Sequence, residues 1–101
     1  THVTTVRMTN DELTSMCPVT AQPDLATVEI GYRPDRWCVE SKSLKLYLWR
    51  FRDRAVFVEQ LAAEIADEIA LSAEPHEVRV VVTQRPRGGI EVQATAERSG
   101  S

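Results

Sequence analysis

A single helical stripe set between two blocks of alternating residues constrains this chain more than any other feature. Val58, Leu61, Ala62, Ile65 and Ile69 recur at the spacing of one helix face, with Gln60, Glu64, Asp67 and Glu68 off it. The spacing predicts a helix over residues 54–71, with Pro75 marking its exit. Before it, Ala26, Val28, Ile30 and Tyr32 alternate with Thr27 and Glu29, which predicts a half-buried strand over residues 25–32. After it, Val78, Val80 and Val82 give another strand. Residues 85–89 then make a turn, and Ile90, Val92, Ala94 and Ala96 form the second arm of a hairpin.

The rest of the chain is less plain. The first sixteen residues are polar and threonine-rich, with a weak strand signal over residues 3–8. Gly31, Pro34 and Asp35 punctuate residues 31–36 as a turn, and residues 98–101 are expected to fray. Residues 38–52 suggest a second strand, with Leu44, Leu46 and Leu48 on one face and Tyr47, Trp49 and Phe51 beside Lys45 on the other. The order strand, strand, helix, strand, strand is that of an α+β unit: an antiparallel sheet with a helix layer on one face. It is expected to form one domain over residues 1–101, with 1–13 as an N-terminal segment. One helix covers only one face. The aromatic row would then need a second cover, and in so small a chain another subunit is the expected one.

The 101 residues leave no room for separate cofactor and substrate domains. A net charge of −3 argues against a general nucleic-acid binder. Lys42, Lys45, Arg50, Arg52 and Arg54 nevertheless concentrate positive charge in mid-chain, as a local anion site or a solvated basic edge would. No apolar run approaches the ~20 residues of a membrane span. No signal peptide is visible, so a cytoplasmic protein is expected. In that compartment Cys17 and Cys38 are expected as free thiols. Together with His2 and His76 they lack zinc-binding spacing, and no metal is expected.

The chemistry concentrates in Cys17-Pro18-Val19-Thr20-Ala21-Gln22-Pro23-Asp24, a proline-braced loop that carries a thiol and an acid. A thiolate attacks electrophilic carbon, and a nearby carboxylic acid protonates the atom that gains charge. Taken alone, Cys17 also fits an inert buried thiol and Asp24 a turn residue. Downstream lies Glu40-Ser41-Lys42-Ser43-Leu44-Lys45-Leu46-Tyr47.

In these two motifs, and on through Phe57-Val58-Glu59 and Pro86-Arg87-Gly88-Gly89-Ile90, the chain resembles the NADPH-dependent nitrile reductases of queuosine biosynthesis. These form the QueF family, of the tunnelling-fold superfamily. The resemblance implies a tunnelling fold whose subunits join their sheets into a barrel, as a homo-oligomer with active sites between neighbours. It implies a four-electron reduction of 7-cyano-7-deazaguanine to the amine with two NADPH, through a covalent thioimide. Cys17 would be the nucleophile and Asp24 the proton donor. Val39, Glu40, Ser41, Val58 and Glu59 would meet the substrate, and Ser41, Lys42, Arg87 and Gly88 would lie along NADPH. Without the resemblance, Glu59 is a first-turn dipole or capping residue, Lys42 a solvent lysine, and residues 87–89 a hairpin turn. The family normally has a histidine before the gripping glutamate, where this chain has Val58.

Three other functions compete. A sister group attacks the same nitrile with a cysteine but adds ammonia or an amine, forming the amidine of archaeosine on tRNA. A silent module would keep a purine pocket without turnover. The tunnelling-fold cyclohydrolases acting on GTP need zinc ligands that are missing here.

Overall fold

The alternation at residues 25–32 becomes β2 (Pro23–Arg33), the spine of a four-stranded sheet in a computed structural model that describes residues 3–99. It pairs antiparallel with β1 (Val6–Met16) on one side and β3 (Glu77–Arg87) on the other. The last strand, β4 (Ile90–Ser99), pairs with β3, so the order is β1-β2-β3-β4. Val28 lies opposite Val82, Ile30 opposite Val80 and Tyr32 opposite Val78, and all six are buried. Their neighbours in sequence point to the other face, which carries the Arg7–Glu29 and Arg79–Glu97 pairs. That face is polar and needs no apolar cover.

Helix α2 (Val58–Ala73) lies across β3 and β4 and buries Val58, Leu61, Ala62, Ile65 and Ile69, the stripe expected from its spacing, together with Ala66 and Ala73. It ends at Glu74 in the left-handed region (φ 46°), one residue before Pro75. The hairpin between β3 and β4 turns on Gly88 and Gly89, with φ of 62° and 82°. A two-residue turn positive at both positions is one that glycine adopts without strain.

The strand expected at residues 38–52 is instead helix α1 (Ser41–Trp49) continued by a 3₁₀ turn (Arg50–Asp53). No β-branched residue occurs between Glu40 and Ala55, and Leu44, Leu48 and Phe51 are spaced for one helical face. Period two and period 3.6 share the step from Leu44 to Leu48, so the two patterns coincide there. Glu40 then settles the start of the helix. Its carboxylate accepts from the Lys42 N–H (2.7 Å), the Ser43 N–H (3.3 Å) and the Ser43 hydroxyl (2.8 Å).

The aromatic row therefore does not exist as a row. Phe51 is buried at 2% exposure and Tyr47 packs edge-on against it at 5.4 Å, while Trp49 is 65% exposed under the Arg52 guanidinium. The case for a second subunit drawn from that row falls with it.

Two smaller expectations also change. Strand β1 runs well past the weak signal at residues 3–8, and its register shifts between Asn10 and Leu13. Even residues (Val6, Met8) face the core before the shift and odd ones (Leu13, Ser15) after it, which hides the period in the sequence. At the other end Arg98 and Ser99 still pair, with Val78 and Glu77, rather than fray; the last two residues of that expected tail lie outside the described residues, as does His2.

Candidate active site

The motif around Cys17 closes the β1–β2 hairpin. Met16 is the last paired residue of β1, opposite Pro23, and Asp24 sits opposite Ser15. The intervening loop is pinned at its base by Cys17 N–H to Gln22 C=O (2.8 Å) and Ala21 N–H to Cys17 C=O (2.9 Å). Asp24 is 7% exposed, on the helix side of β2 with Ala26 and Val28.

Hydrogen bonds from the Thr20 hydroxyl, then from the Thr20 and Val19 N–H groups, hold the half-buried Cys17 thiol below its ordinary pKa. Partial burial and the nearby Asp24 charge oppose them. The Asp24 carboxyl thus lies within electrostatic reach of the thiol.

Other elements converge on this end of the sheet. The segment before α2 lies against the end of β1, with Met16 N–H to Arg54 C=O at 2.8 Å and Val56 N–H to Met16 C=O at 3.2 Å. That contact brings the start of α2, and so Val58 and Glu59, next to the Cys17 loop. Glu59 is exposed in the first turn. The Val58 side chain is buried in the core, as a stripe residue, and offers a ligand no side-chain surface of its own. Gln84 pairs with Ala26, so the hairpin beyond it carries Arg87 and Gly88 past the Asp24 end of β2.

Val39, Glu40, Ser41 and Lys42 are elsewhere. The Val39 N–H donates to the Tyr32 hydroxyl at 2.8 Å, at the opposite end of β2. Asp24 and Tyr32 are eight residues apart on one strand, about 26 Å at strand rise. Val39, Glu40 and Ser43 line a hollow with Glu68 and Ser72, in the second half of α2, whereas Glu59 lies at its start. Within one chain the expected site residues thus form two groups. Cys17, Asp24, Val58, Glu59, Arg87 and Gly88 are at one end, and Val39, Glu40, Ser41 and Lys42 are at the other.

The basic cluster does not converge either. Arg54 is held by the Glu64 carboxylate (2.6 and 3.0 Å) and Arg52 stacks on Trp49. Among the described residues, no group of three His, Cys, Asp or Glu side chains is placed to hold a metal ion. Nor, among the described residues, is any helix long and apolar enough to cross a membrane. Thr20 is the residue that sequence reasoning missed. Its signal was present, three positions after the cysteine in a tight loop, but its influence on the thiol depends on the fold of that loop.

Comparison with known proteins gives this geometry a context. The model of the QueF family, described as QueF-like protein, matches residues 23–100. A protein of Alkalilimnicola ehrlichii named NADPH-dependent 7-cyano-7-deazaguanine reductase is 46% identical over 86 residues, 85% of this chain and 67% of its own length. Proteins of the same name from Nitratidesulfovibrio vulgaris and Methylorubrum extorquens are 46% and 50% identical, over 86% and 85% of this chain. The chain spans only 53% and 56% of those two relatives.

A crystal structure of the archaeosine synthase QueF-Like in the apo form superposes with a TM-score of 0.91 at 26% identity, covering 100% of this chain and 98% of that one. Family model, relatives and structure agree on one lineage. This chain belongs to the QueF-like protein family.

Proposed function

We propose that this protein reduces the nitrile of 7-cyano-7-deazaguanine to 7-aminomethyl-7-deazaguanine, with two NADPH per turnover, through a covalent thioimide at Cys17. The observation that carries this reading is the Cys17 loop closing beside a buried Asp24, in a chain 42–50% identical to proteins named for that reduction. A nitrile carbon is a poor hydride acceptor. When the Cys17 thiolate adds to it, an S–C bond forms and one π pair moves to nitrogen, which takes a proton from Asp24. The thioimide accepts hydride more readily, and departure of the thiolate leaves an imine for the second reduction. Two hydrides and two protons complete the amine.

NADPH supplies those hydrides when bound. Ser41, Lys42 and Gly88 are all exposed, and so open to an anionic cofactor. Lys42 would meet a phosphate as a point charge, and Gly88 brings backbone N–H groups within close approach. Glu59, exposed at the start of α2, would accept N–H groups from the guanine-like edge of the substrate.

The two groups of residues cannot surround one small base within a single chain. The site is therefore composite: Cys17, Asp24, Val58, Glu59, Arg87 and Gly88 come from one copy, and Val39, Glu40, Ser41 and Lys42 from a neighbour in a homo-oligomer. Glu40 spends its carboxylate on the α1 cap, so it shapes that half-site through Ser41 and Lys42.

Adding the free nitrile to the protein with NADPH tests the reading. Absorbance of NADPH falls, and intact mass shows a substrate adduct that Cys17→Ala lacks. Binding with neither oxidation nor adduct would leave a silent module. The archaeosine synthase neighbour favours one second reading, amidine formation on the same thioimide. In that case the adduct forms, ammonia converts it to amidine, NADPH is untouched, and tRNA enters as substrate.

A further inference from the structure

Tyr32 is the last core residue of β2, and its phenol reaches the connection that follows the strand. In register it lies between Val6 of β1 and Val78 of β3, and it is 3% exposed, so strand pairing on both sides and the core hold its ring. The hydroxyl at the tip of that ring accepts the Val39 N–H at 2.8 Å. A buried tyrosine hydroxyl ordinarily finds a partner. This partner belongs to neither a strand nor a helix: Val39 lies in residues 34–40, the irregular connection from β2 to α1.

The connection depends on that bond for its direction. A second tie, Asp35 to His76 at 3.8 Å, joins two exposed side chains earlier in the segment, and exposed ion pairs contribute little. The Val39 side chain packs at the edge of the core. Beside it, however, Val39, Glu40 and Ser43 border a hollow of about 240 Å³, which gives the backbone no packed support on that side. The Tyr32 bond therefore orients the peptide that enters Glu40. Glu40 caps α1 through the Lys42 and Ser43 N–H groups, so a shift of Val39 carries Glu40, Ser41 and Lys42 with it. Leu44 and Leu48 anchor the helix further on and leave its first turn to this bond.

We propose that Tyr32 is a positioning residue whose hydroxyl fixes residues 39–42 where the Cys17 end of a neighbouring copy meets them. The inference rests on the composite site proposed above. Tyr32 touches neither nitrile nor NADPH and acts through Val39. Its effect falls on binding rather than on chemistry. Residues 39–42 hold the ligands, whereas Cys17 and Asp24 come from the other copy. A loosened half-site weakens the grip on both ligands and leaves the bond-making groups of the bound complex in place.

Steady-state kinetics with the free nitrile and NADPH, set beside amide exchange followed by mass spectrometry, test this in Tyr32→Phe, which keeps the ring and removes only the acceptor. KM for both ligands is expected to rise about three- to tenfold, the size of one lost hydrogen bond, with kcat within about twofold of wild type. Amides of residues 38–42 should exchange faster, and those of residues 17–24 at the wild-type rate. Tyr47→Phe is the control: it loses a hydroxyl that bonds the Glu64 carbonyl on α2, and both KM values should stay as in wild type. A lower kcat at unchanged KM in Tyr32→Phe overturns the proposal, because that is what a merely less stable enzyme shows. Unchanged exchange at residues 38–42 overturns it too, as does Tyr47→Phe raising KM equally. If Tyr32→Phe does not fold, a fluorinated tyrosine introduced at Tyr32, a weaker acceptor, is judged by the same criteria. Should wild type never consume NADPH, the reductase reading falls and Kd for the nitrile takes the place of KM. A rise in that Kd in Tyr32→Phe would leave the positioning role standing, and an equal Kd would overturn it.

Discussion

The two ends of the sheet use their polar groups differently. At the Cys17 end, the Thr20 hydroxyl and then the Thr20 and Val19 N–H groups hold the thiol below its ordinary pKa, and Asp24 is buried on the strand that follows. At the Glu40 end, the carboxylate is turned inward on its own helix, below its ordinary pKa because of the Ser43 hydroxyl and then the Lys42 N–H. One end carries the proposed nucleophile, and the other uses its carboxylate to cap a helix. The difference teaches that a motif residue can serve a site through the backbone it fixes as well as through its side chain.

The sharpest way to break that contrast is at Asp24. Asp24→Asn removes the proposed proton donor and should lower nitrile turnover by at least about a hundredfold. It also removes a carboxylate whose charge raises the Cys17 pKa, so iodoacetamide should react with that thiol more readily near pH 7 than in wild type. Slow turnover with unchanged alkylation would show that the two groups do not sense each other. The complementarity of the ends is tested next by co-expressing Cys17→Ala with Glu40→Ala chains. Random mixing would pair an intact Cys17 end with an intact Glu40 end at about a quarter of the sites, and NADPH oxidation should return to about that fraction of wild type. A mixture as inactive as its parents would place the whole site in one chain.

Helix α1 connects the two ends and offers a stability test. Leu48 is 4% exposed and Leu46 is 63% exposed. Leu48→Ala should cost about 2–5 kcal/mol in urea unfolding, and Leu46→Ala less than ~0.5 kcal/mol. Equal costs would restore the strand reading, in which both leucines face inward. The smallest effect is at Tyr47, whose hydroxyl donates to the Glu64 carbonyl at 3.4 Å and whose pKa burial, followed by the Glu68 and Glu64 charges, pushes up to about 12. The folded state then holds its phenol proton longer than the unfolded state does. Stability contributed by this group is intact below pH 10 and declines from there to about pH 12, and Tyr47→Phe should flatten that decline in alkaline denaturation.

Much of the fold was legible, but unevenly. Ala26, Val28, Ile30 and Tyr32 announced β2, and the Val58 to Ile69 stripe announced α2, because each element buries one face along a constant period. Strand β1 was nearly invisible, since its register shift exchanges inward and outward positions halfway along. Helix α1 was misread as a strand because its leucines fit both periods, and the lack of β-branched residues, the Glu40 cap, the burial of Phe51 and the exposure of Leu46 separate them. In the candidate site, the chemical identities of Cys17, Asp24 and Glu59 were apparent from their motifs. The separation of Glu40 from Cys17 was not, because a helix runs back along the sheet where an extended strand was expected.

The sequence by itself determined which groups are available: a thiol and a carboxyl seven residues apart, and a second motif that begins with its own helix cap. Only the tertiary structure decided that strand pairing buries Asp24 beside the Cys17 loop while it carries the second motif to the far end of the sheet. The reason is physical. Residue type sets what an atom can donate, accept or attack, but distance between remote segments depends on register and on whether each intervening residue advances the chain by a strand's rise or a helix's, about 3.3 or 1.5 Å.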